Sequence, residues 1–282
     1  MNPAFSIATM ARDQVAFAIA LAAAEGWNPG LHDGECFHAA DPAGFLIGHL
    51  DGEPIGCIAA VSYPGHFGFI GLYIVVPAQR GRGYGIQLWH AAMQRLAGHN
   101  IGLDGVLAQQ ANYRRSGFNL AYSNVRYERS GRLEAGPAPE IVDARDVVLP
   151  LLLDYDSRHF PARRLSFVSE WIAQPDSAAL AFVAHGELRG YGVIRRCARG
   201  WKIGPLFADA AGIAEQLYVA LCTYANDDEA VYLDVPEVND AGMHLAQRYG
   251  MKKVFGTARM YTGDFPAIPL HHVYGVTTFE LG

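Results

Sequence analysis

The sequence has little that would staple it, anchor it or attach it to a polyanion. Its four cysteines, Cys36, Cys57, Cys197 and Cys222, lie far apart with no C-x-x-C among them. Reduced thiols are the simpler reading, because a chain of this size needs no disulfide framework. No apolar run reaches the roughly 18 residues of a membrane-spanning helix. Ala16 to Ala24 is apolar, but it sits in a helical pattern bounded by Arg12, Asp13 and Glu25 rather than behind a basic leader. Charged residues make up only 18% of the chain and the net charge is -6, which argues against nucleic acid and is compatible with a cationic substrate. These absences predict a cytoplasmic chain with no membrane and no nucleic-acid partner. What is present is apolar: 51% hydrophobic over 282 residues, ample for a core and comfortable for two domains.

The chain turns on FIGLYIVVPAQRGRGYGIQLWHAAMQRL, residues 69–96. Phe69 to Val76 is β-branched, aromatic or apolar without alternation, the composition of a strand buried on both faces, and Pro77 ends its ladder. Ile86, Trp89, Met93 and Leu96 then fall on one helical stripe that Gly98 closes. Between strand and helix lies Gln79-Arg80-Gly81-Arg82-Gly83-Tyr84-Gly85. Alternate glycines remove the Cβ atoms that would hold a ligand off the backbone, and the first N–H groups of the helix have no partner within it. With Arg80 and Arg82 and the positive helix end, the loop predicts an anionic ligand such as a diphosphate. The alternative is a tight strand-to-helix turn with solvated arginines.

The glycine spacing is neither G-x-G-x-x-G nor a P-loop with its G-K-[ST]. It does resemble the acetyl-CoA motif of the GNAT superfamily of N-acetyltransferases, [QR]-x-x-G-x-[GA], as Arg80-x-x-Gly83-x-Gly85. The V-x-P-x-x-R that precedes it in that family is matched by Val75, Pro77 and Arg80.

The rest of the chain reads as a duplication. A strand at Phe5 to Met10, a helix through Val15, Ile19 and Ala22, and a hairpin about Asp51-Gly52-Glu53-Pro54 precede the central stretch. Ile101 to Leu103 follows as a short strand, Asp104 is placed to cap a helix through Val106, Gln110 and Tyr113, and Leu120 to Arg129 closes the unit. SGRLEAGPAPE, residues 130–140, has no apolar periodicity and is the best linker. Beyond it the order restarts: strand Ile141-Val142, a helix through Val148 to Tyr155, and a hairpin of Ala179 to Ala184 with Tyr191 to Arg195. Gly186-Glu187-x-x-Gly190 repeats Gly52-Glu53-x-x-Gly56, and Arg248-Tyr249-Gly250-Met251 repeats Arg115-Ser116-Gly117-Phe118 at nearly the same interval. The expected fold is α/β (α+β), two tandem GNAT-like domains, each a mixed central β-sheet flanked by helices. Their bounds are 1–130 and 141–282, with 131–140 as linker. In the second unit the loop position reads Gly204-Pro205-Leu206-Phe207-Ala208-Asp209. It lacks G-x-G and carries an acid, so this unit is expected to bind no coenzyme.

The resemblance implies acetyl-CoA as donor, held by Ile74, Val75 and Val76 on the strand, by Arg80, Gly81, Arg82, Gly83, Tyr84 and Gly85 in the loop, and by Asn112. It also implies that Tyr113, four residues before Gly117-Phe118, protonates the leaving thiolate; packing on a helix is the alternative. The position where the family often has asparagine is Val106 here, whereas the second unit has Asn239 there and Ala246 in place of the tyrosine. Asp33, Glu35, His66 and Asp104 are candidate bases. His32, Asp33, Glu35, Cys36 and His38 match no standard metal spacing, so no metal is expected, and Trp27, Asp33 and Glu35 are expected to line the substrate side. Asp156 to Arg164 reads as a solvated loop or as a flap over the acceptor site, and the C-terminal VYGVTTFEL as a closing strand. The implied function is an N-acetyltransferase moving an acetyl group from acetyl-CoA to a small-molecule primary amine by direct attack in a ternary complex. The alternatives are a non-catalytic acyl-CoA sensor and a transferase of longer acyl groups, and the chain is expected as a monomer or homodimer.

Overall fold

Two turns frame the repeat. Asp51-Gly52 and His185-Gly186 carry positive φ at both residues, 52° and 89° in one, 53° and 78° in the other. That two-residue loop suits hairpins because its twist matches the strands it joins. In the computed structural model, which describes residues 4–282, the first half runs β1 (Phe5–Thr9), α1 (Val15–Ala24), α2 (Asp33–Ala40), β2 (Phe45–Leu50), β3 (Glu53–Tyr63), β4 (Phe67–Val75), α3 (Tyr84–Arg95), β5 (Asn100–Val106), α4 (Gln110–Arg115) and β6 (Asn119–Ser130). The second half repeats that order as β7 (Ile141–Asp143), α5 (Leu149–His159), α6 (Leu165–Ala173), β8 (Ser177–Ala184), β9 (Glu187–Arg196), β10 (Trp201–Ala208), α7 (Ala211–Cys222), β11 (Ala230–Pro236), α8 (Asp240–Arg248) and β12 (Lys252–Tyr261), then adds β13 (Val273–Gly275).

The strands form one mixed sheet in the order β1-β2-β3-β4-β5-β12-β6-β11-β10-β9-β8-β7, with β13 against β10. Leu120 to Arg129 is a strand as expected, but it does not pair with its own unit's β5. β12 lies between β5 and β6, and β6 lies between β12 and β11. Each half therefore gives its last strand to the other, and both β5 and β11 gain the partner without which their N–H and C=O groups would line an open edge.

Buried charge locks this exchange. Arg126 on β6 grips Asp234 on β11 with two bonds of 2.7 Å. Arg259 on β12 grips Asp104 on β5 at 2.9 and 2.5 Å, and Asn124 donates to the same carboxylate at 2.8 Å. Asp104 is thus a strand residue in an ion pair. It caps no helix, because β5 runs on to Val106 and the backbone tightens through Leu107–Gln109 before α4 begins.

Other expectations change with packing. The buried face of α3 is Leu88, Trp89 and Ala92, continued by Leu96, while Ile86 is half exposed. Asp156 to His159 is the last turn of α5, Asp156 is buried against Arg164 at 2.8 Å, and Phe160 and Ala162 are buried too. The stretch therefore packs on the core, with only Arg158 and Arg163 exposed and Ser157 and Pro161 half-buried, rather than forming a solvated loop or a flap. α6, which the sequence pattern did not single out, packs Trp171 against Phe37 of α2. Apolar residues of α1, α2, α5 and α6 share one core against the sheet, and separate cores lie beneath α3 and beneath α7 and α8.

Candidate functional site

β4 and β5 run parallel from Phe67 and Asn100 only as far as Ile70 and Leu103. Beyond that point β4 takes an extra residue against β3, with Leu72 at φ 48°, and a bulge of this kind bends a strand and re-aims it. The strands splay, and the gap opens into a cavity of about 660 Å³. The loop stands at its mouth. Gly81 and Gly83 hold φ of 74° and 86° with open space where a Cβ would be. Among the described residues, the backbone N–H groups of 81–86 have no acceptor outside α3, and Gly83 caps α3 without a side-chain bond. These are free donors at a positive helix end, a cradle for an anion. Arg80 is braced for it: its Nε donates to the Val75 carbonyl at 2.7 Å and its guanidinium pairs with Glu25.

Of the residues expected to hold a coenzyme, Ile74, Val75, Arg80, Gly81, Gly85 and Asn112 line this cavity. Val76 does not: its N–H is bonded to Ile55 and its carbonyl accepts from Gln79. Arg82 and Gly83 in the loop and Tyr84 at the start of α3 lie outside the lining. Asn112 reaches the cavity, but its side chain is engaged with Gln109 and Arg115. Tyr113 lies over β5 at Gly105, where a Cβ would come within 2.3 Å of its ring, and against Trp89 with centroids 5.7 Å apart. Burial, with Tyr73 nearby, pushes its phenol up to about 12. Tyr113 therefore holds its proton at neutral pH and is a donor there.

Of the residues expected on the substrate side, Trp27 lines the cavity and accepts at its carbonyl from Arg126 at 2.6 Å. Asp33 and Glu35 are drawn away. Asp33 is fully buried, bonded to Arg195 at 2.7 Å and to the Gly30 N–H at 2.8 Å, and Glu35 points outward toward Arg12 at 3.6 Å. Their neighbours are also spent separately, His32 on Asp176 and Cys36 in the core. Local spacing did not reveal the groups that complete the cavity: Arg126, Phe255, Thr257, Phe279 and Glu280. Four of these come from the second half, too far along the chain for any local pattern to have pointed to them.

The second half has the same splay filled in. β10 and β11 pair in parallel only over Trp201–Ile203 and Val231–Leu233. β10 then continues as strand through the stretch expected to be a loop, and β13 pairs with it at Leu206 and Phe207. Val276 adds a bond to the Asp234 carbonyl at 2.8 Å. Asn239 caps α8 at the Gly242 N–H, 3.0 Å, and donates to the Val273 carbonyl at 2.9 Å, fastening the plug. Asp209 is bonded to Arg189 at 2.6 Å and to the Tyr155 hydroxyl at 2.9 Å.

Only Val273–Gly275 of the C-terminal stretch is strand. The rest threads, buried, from this plug to the first half's bulge. There the Glu280 carbonyl lies 1.9 Å from where a Gly71 Cβ would stand, and the Leu281 carbonyl accepts from the Tyr63 hydroxyl at 3.3 Å. Gly71→Ala is expected to unseat this tail, since a methyl there meets backbone that cannot rotate away. Carboxypeptidase digestion followed by mass spectrometry should show release of the last residues at least about tenfold faster than from wild type; equal rates would mean that the tail is held elsewhere.

Comparison with known proteins agrees with this geometry. One model of the acetyltransferase (GNAT) family matches residues 15–118 and a second, of an acetyltransferase (GNAT) domain, matches residues 152–275. The chain is 27% identical over 268 residues to holothin acyltransferase of Pseudoalteromonas sp. (strain SANK 73390), covering 93% of this chain and 89% of that protein. In fold it is similar to a candidate acetyltransferase from Pyrococcus horikoshii, with a TM-score of 0.84, 21% identity, and 99% of this chain and 96% of that one covered. It is also similar to a tandem GNAT protein from the clavulanic acid biosynthesis pathway, with a TM-score of 0.63, 13% identity, and 93% and 100% covered. With a GNAT model matched to each half, the chain belongs to the GNAT superfamily as an acyltransferase of two GNAT domains in tandem.

Proposed function

We propose that the protein is an N-acetyltransferase that moves the acetyl group of acetyl-CoA to a primary amine of a small molecule, by direct attack in a ternary complex. The observation that carries this reading is the continuity of one cavity from the unpartnered N–H groups of the loop to Tyr113. The coenzyme supplies an acyl thioester. The N–H groups of 81–86 with Arg80 and Arg82 receive its diphosphate, Ile74 and Val75 border its arm, and Asn112 flanks it. Main-chain N–H groups of β4 beside the bulge would stabilise the thioester oxygen, where charge develops. Trp27, Phe255 and Phe279 wall the acceptor end. Residues 1–130 form the catalytic unit and 131–140 the linker. Residues 141–282 form a unit silent toward coenzyme, because β13 occupies its cleft and Ala246 stands where an acid would be needed.

Calorimetric titration with acetyl-CoA, followed by thiol-release assays with a panel of primary amines, tests the reading. One-to-one binding and amine-dependent thiol release are expected, and binding without release to any amine would leave a sensor. The apolar wall of Phe255 and Phe279 favours a second reading, a longer acyl group, which competition between thioesters of increasing chain length decides.

Tyr113→Phe is expected to lower kcat about a hundredfold, the scale of one positioned general acid. Because the phenol is pushed up to about 12, it stays protonated below that pH. The loss should therefore be even from about pH 6 to 10, with no alkaline limb in wild type due to this group. Unchanged turnover would assign the proton to another donor.

A further inference from the structure

The buried arginines of this chain have carboxylate partners. Arg126 meets Asp234, Arg195 meets Asp33, Arg164 meets Asp156 and Arg259 meets Asp104. Glu280 has no such partner. It is 3% exposed, yet its Oε2 meets no hydrogen-bond partner among the described residues. Only its backbone is engaged, the N–H donating to Thr278 Oγ1 at 3.1 Å. A buried carboxylate in this condition is costly unless something arrives to meet it. Glu280 lines the cavity, and its own backbone is packed on Gly71 at the bulge where β4 leaves β5.

The charged groups whose fields reach Glu280 are Arg126, Arg195 and Lys202, with Asp234 and Asp33 as the arginines' partners and Cys197 among them. Lys202 is itself buried without a carboxylate and donates to the carbonyls of Asn28 at 2.6 Å and Trp27 at 3.4 Å. None of these cations hydrogen-bonds the Glu280 carboxylate, whose Oε2 is left without a partner among the described residues. That is the condition of a receptor for an N–H donor.

We propose that Glu280 receives the acceptor's amine and takes its proton during transfer. The assignment rests on the transferase reading above. The acceptor's ammonium group passes one proton to the Glu280 carboxylate, and the nitrogen lone pair so freed forms the new C–N bond at the thioester carbon. The C–S bond breaks with its electron pair on sulfur, and Tyr113 protonates that sulfur. Amide and free thiol result; the second proton lost by nitrogen returns through water to the Tyr113 phenolate, and Glu280 releases the first to solvent. The second half thus contributes the base: its own cleft is plugged by the same C-terminal segment that carries Glu280 into the first half's cavity.

The test uses Glu280→Gln, which keeps the side chain's shape, in the full chain with acetyl-CoA and with benzylamine and n-butylamine as probes. At about pH 7, kcat should fall about a hundredfold while acetyl-CoA affinity is unchanged. The deficit should shrink as pH rises toward the amine's own pKa, because solvent then removes the proton that Glu280 would have taken. Formate should restore part of the activity of Glu280→Ala. A variant as active as wild type would overturn the assignment and leave the transferase reading standing. A loss that is the same at every pH and is not rescued by formate would overturn it in favour of a packing role. Wild type that binds acetyl-CoA and releases no thiol with either probe would overturn both readings together.

Discussion

Gly83→Glu is expected to weaken acetyl-CoA binding at least about a hundredfold, which is roughly 2.8 kcal/mol. Two effects act in the same direction. Gly83 holds φ 86° as the residue that opens α3, a conformation that costs a residue with a side chain roughly 1–2 kcal/mol. The new carboxylate also stands where a diphosphate would be cradled, and two like charges about 4 Å apart repel by about 4 kcal/mol at the effective dielectric near a protein surface. The fold should survive, because nothing lies within 4 Å of the added Cβ. Calorimetry on both proteins, with circular dichroism as the control for folding, reads the result. Undiminished one-to-one binding by the variant would place the coenzyme somewhere other than this loop.

The second large effect concerns the seam between the halves. Asp234→Ala should destabilise the protein by about 3–5 kcal/mol, since it leaves the Arg126 guanidinium buried and uncompensated. Arg126 and Asp234 have side chains 4% and 2% exposed, so solvent cannot take over the lost partner. Because β6 and β12 are each paired with a strand of the other half, unfolding in urea should remain a single transition displaced to lower denaturant, with tryptophan fluorescence and circular dichroism coincident. Two separated transitions in wild type would show that the halves fold independently and that the exchanged strands do not couple them. The same substitution also frees Arg126, which lines the cavity and donates to the Trp27 carbonyl, so loss of activity should accompany the loss of stability.

The loop was legible because its chemistry is local. Gly81, Gly83 and Gly85 within a few residues of Arg80, between an unbroken apolar strand and a helical stripe, describe an anion cradle with no knowledge of the rest of the chain. The repeat was legible for a similar reason, since Asp51-Gly52 and His185-Gly186 make the same turn and leave the same kind of mark. Edges were misread where tertiary packing outvoted a local signal. Ile86 fits the helical stripe of α3 but points toward the cavity rather than the core. Asp104 looks like a cap but is held in strand by Arg259, 155 residues away.

What the sequence by itself determined is the unit: its order of strands and helices, its duplication, and a loop able to hold an anion, all set by side-chain period, turn chemistry and glycine within short windows. Only the tertiary structure decided how two such units share one sheet and one site. The pairs Arg126–Asp234 and Asp33–Arg195 join residues 108 and 162 apart in the chain. β6 and β12 carry no local mark that says which half's edge they will complete. The same holds for the C-terminal tail, whose apolar and threonine residues read as one more strand. It became the plug of one cleft and the wall of another because β13 satisfied the open side of β10 and because Gly71, lacking a side chain, left room for the Glu280 backbone against the bulge.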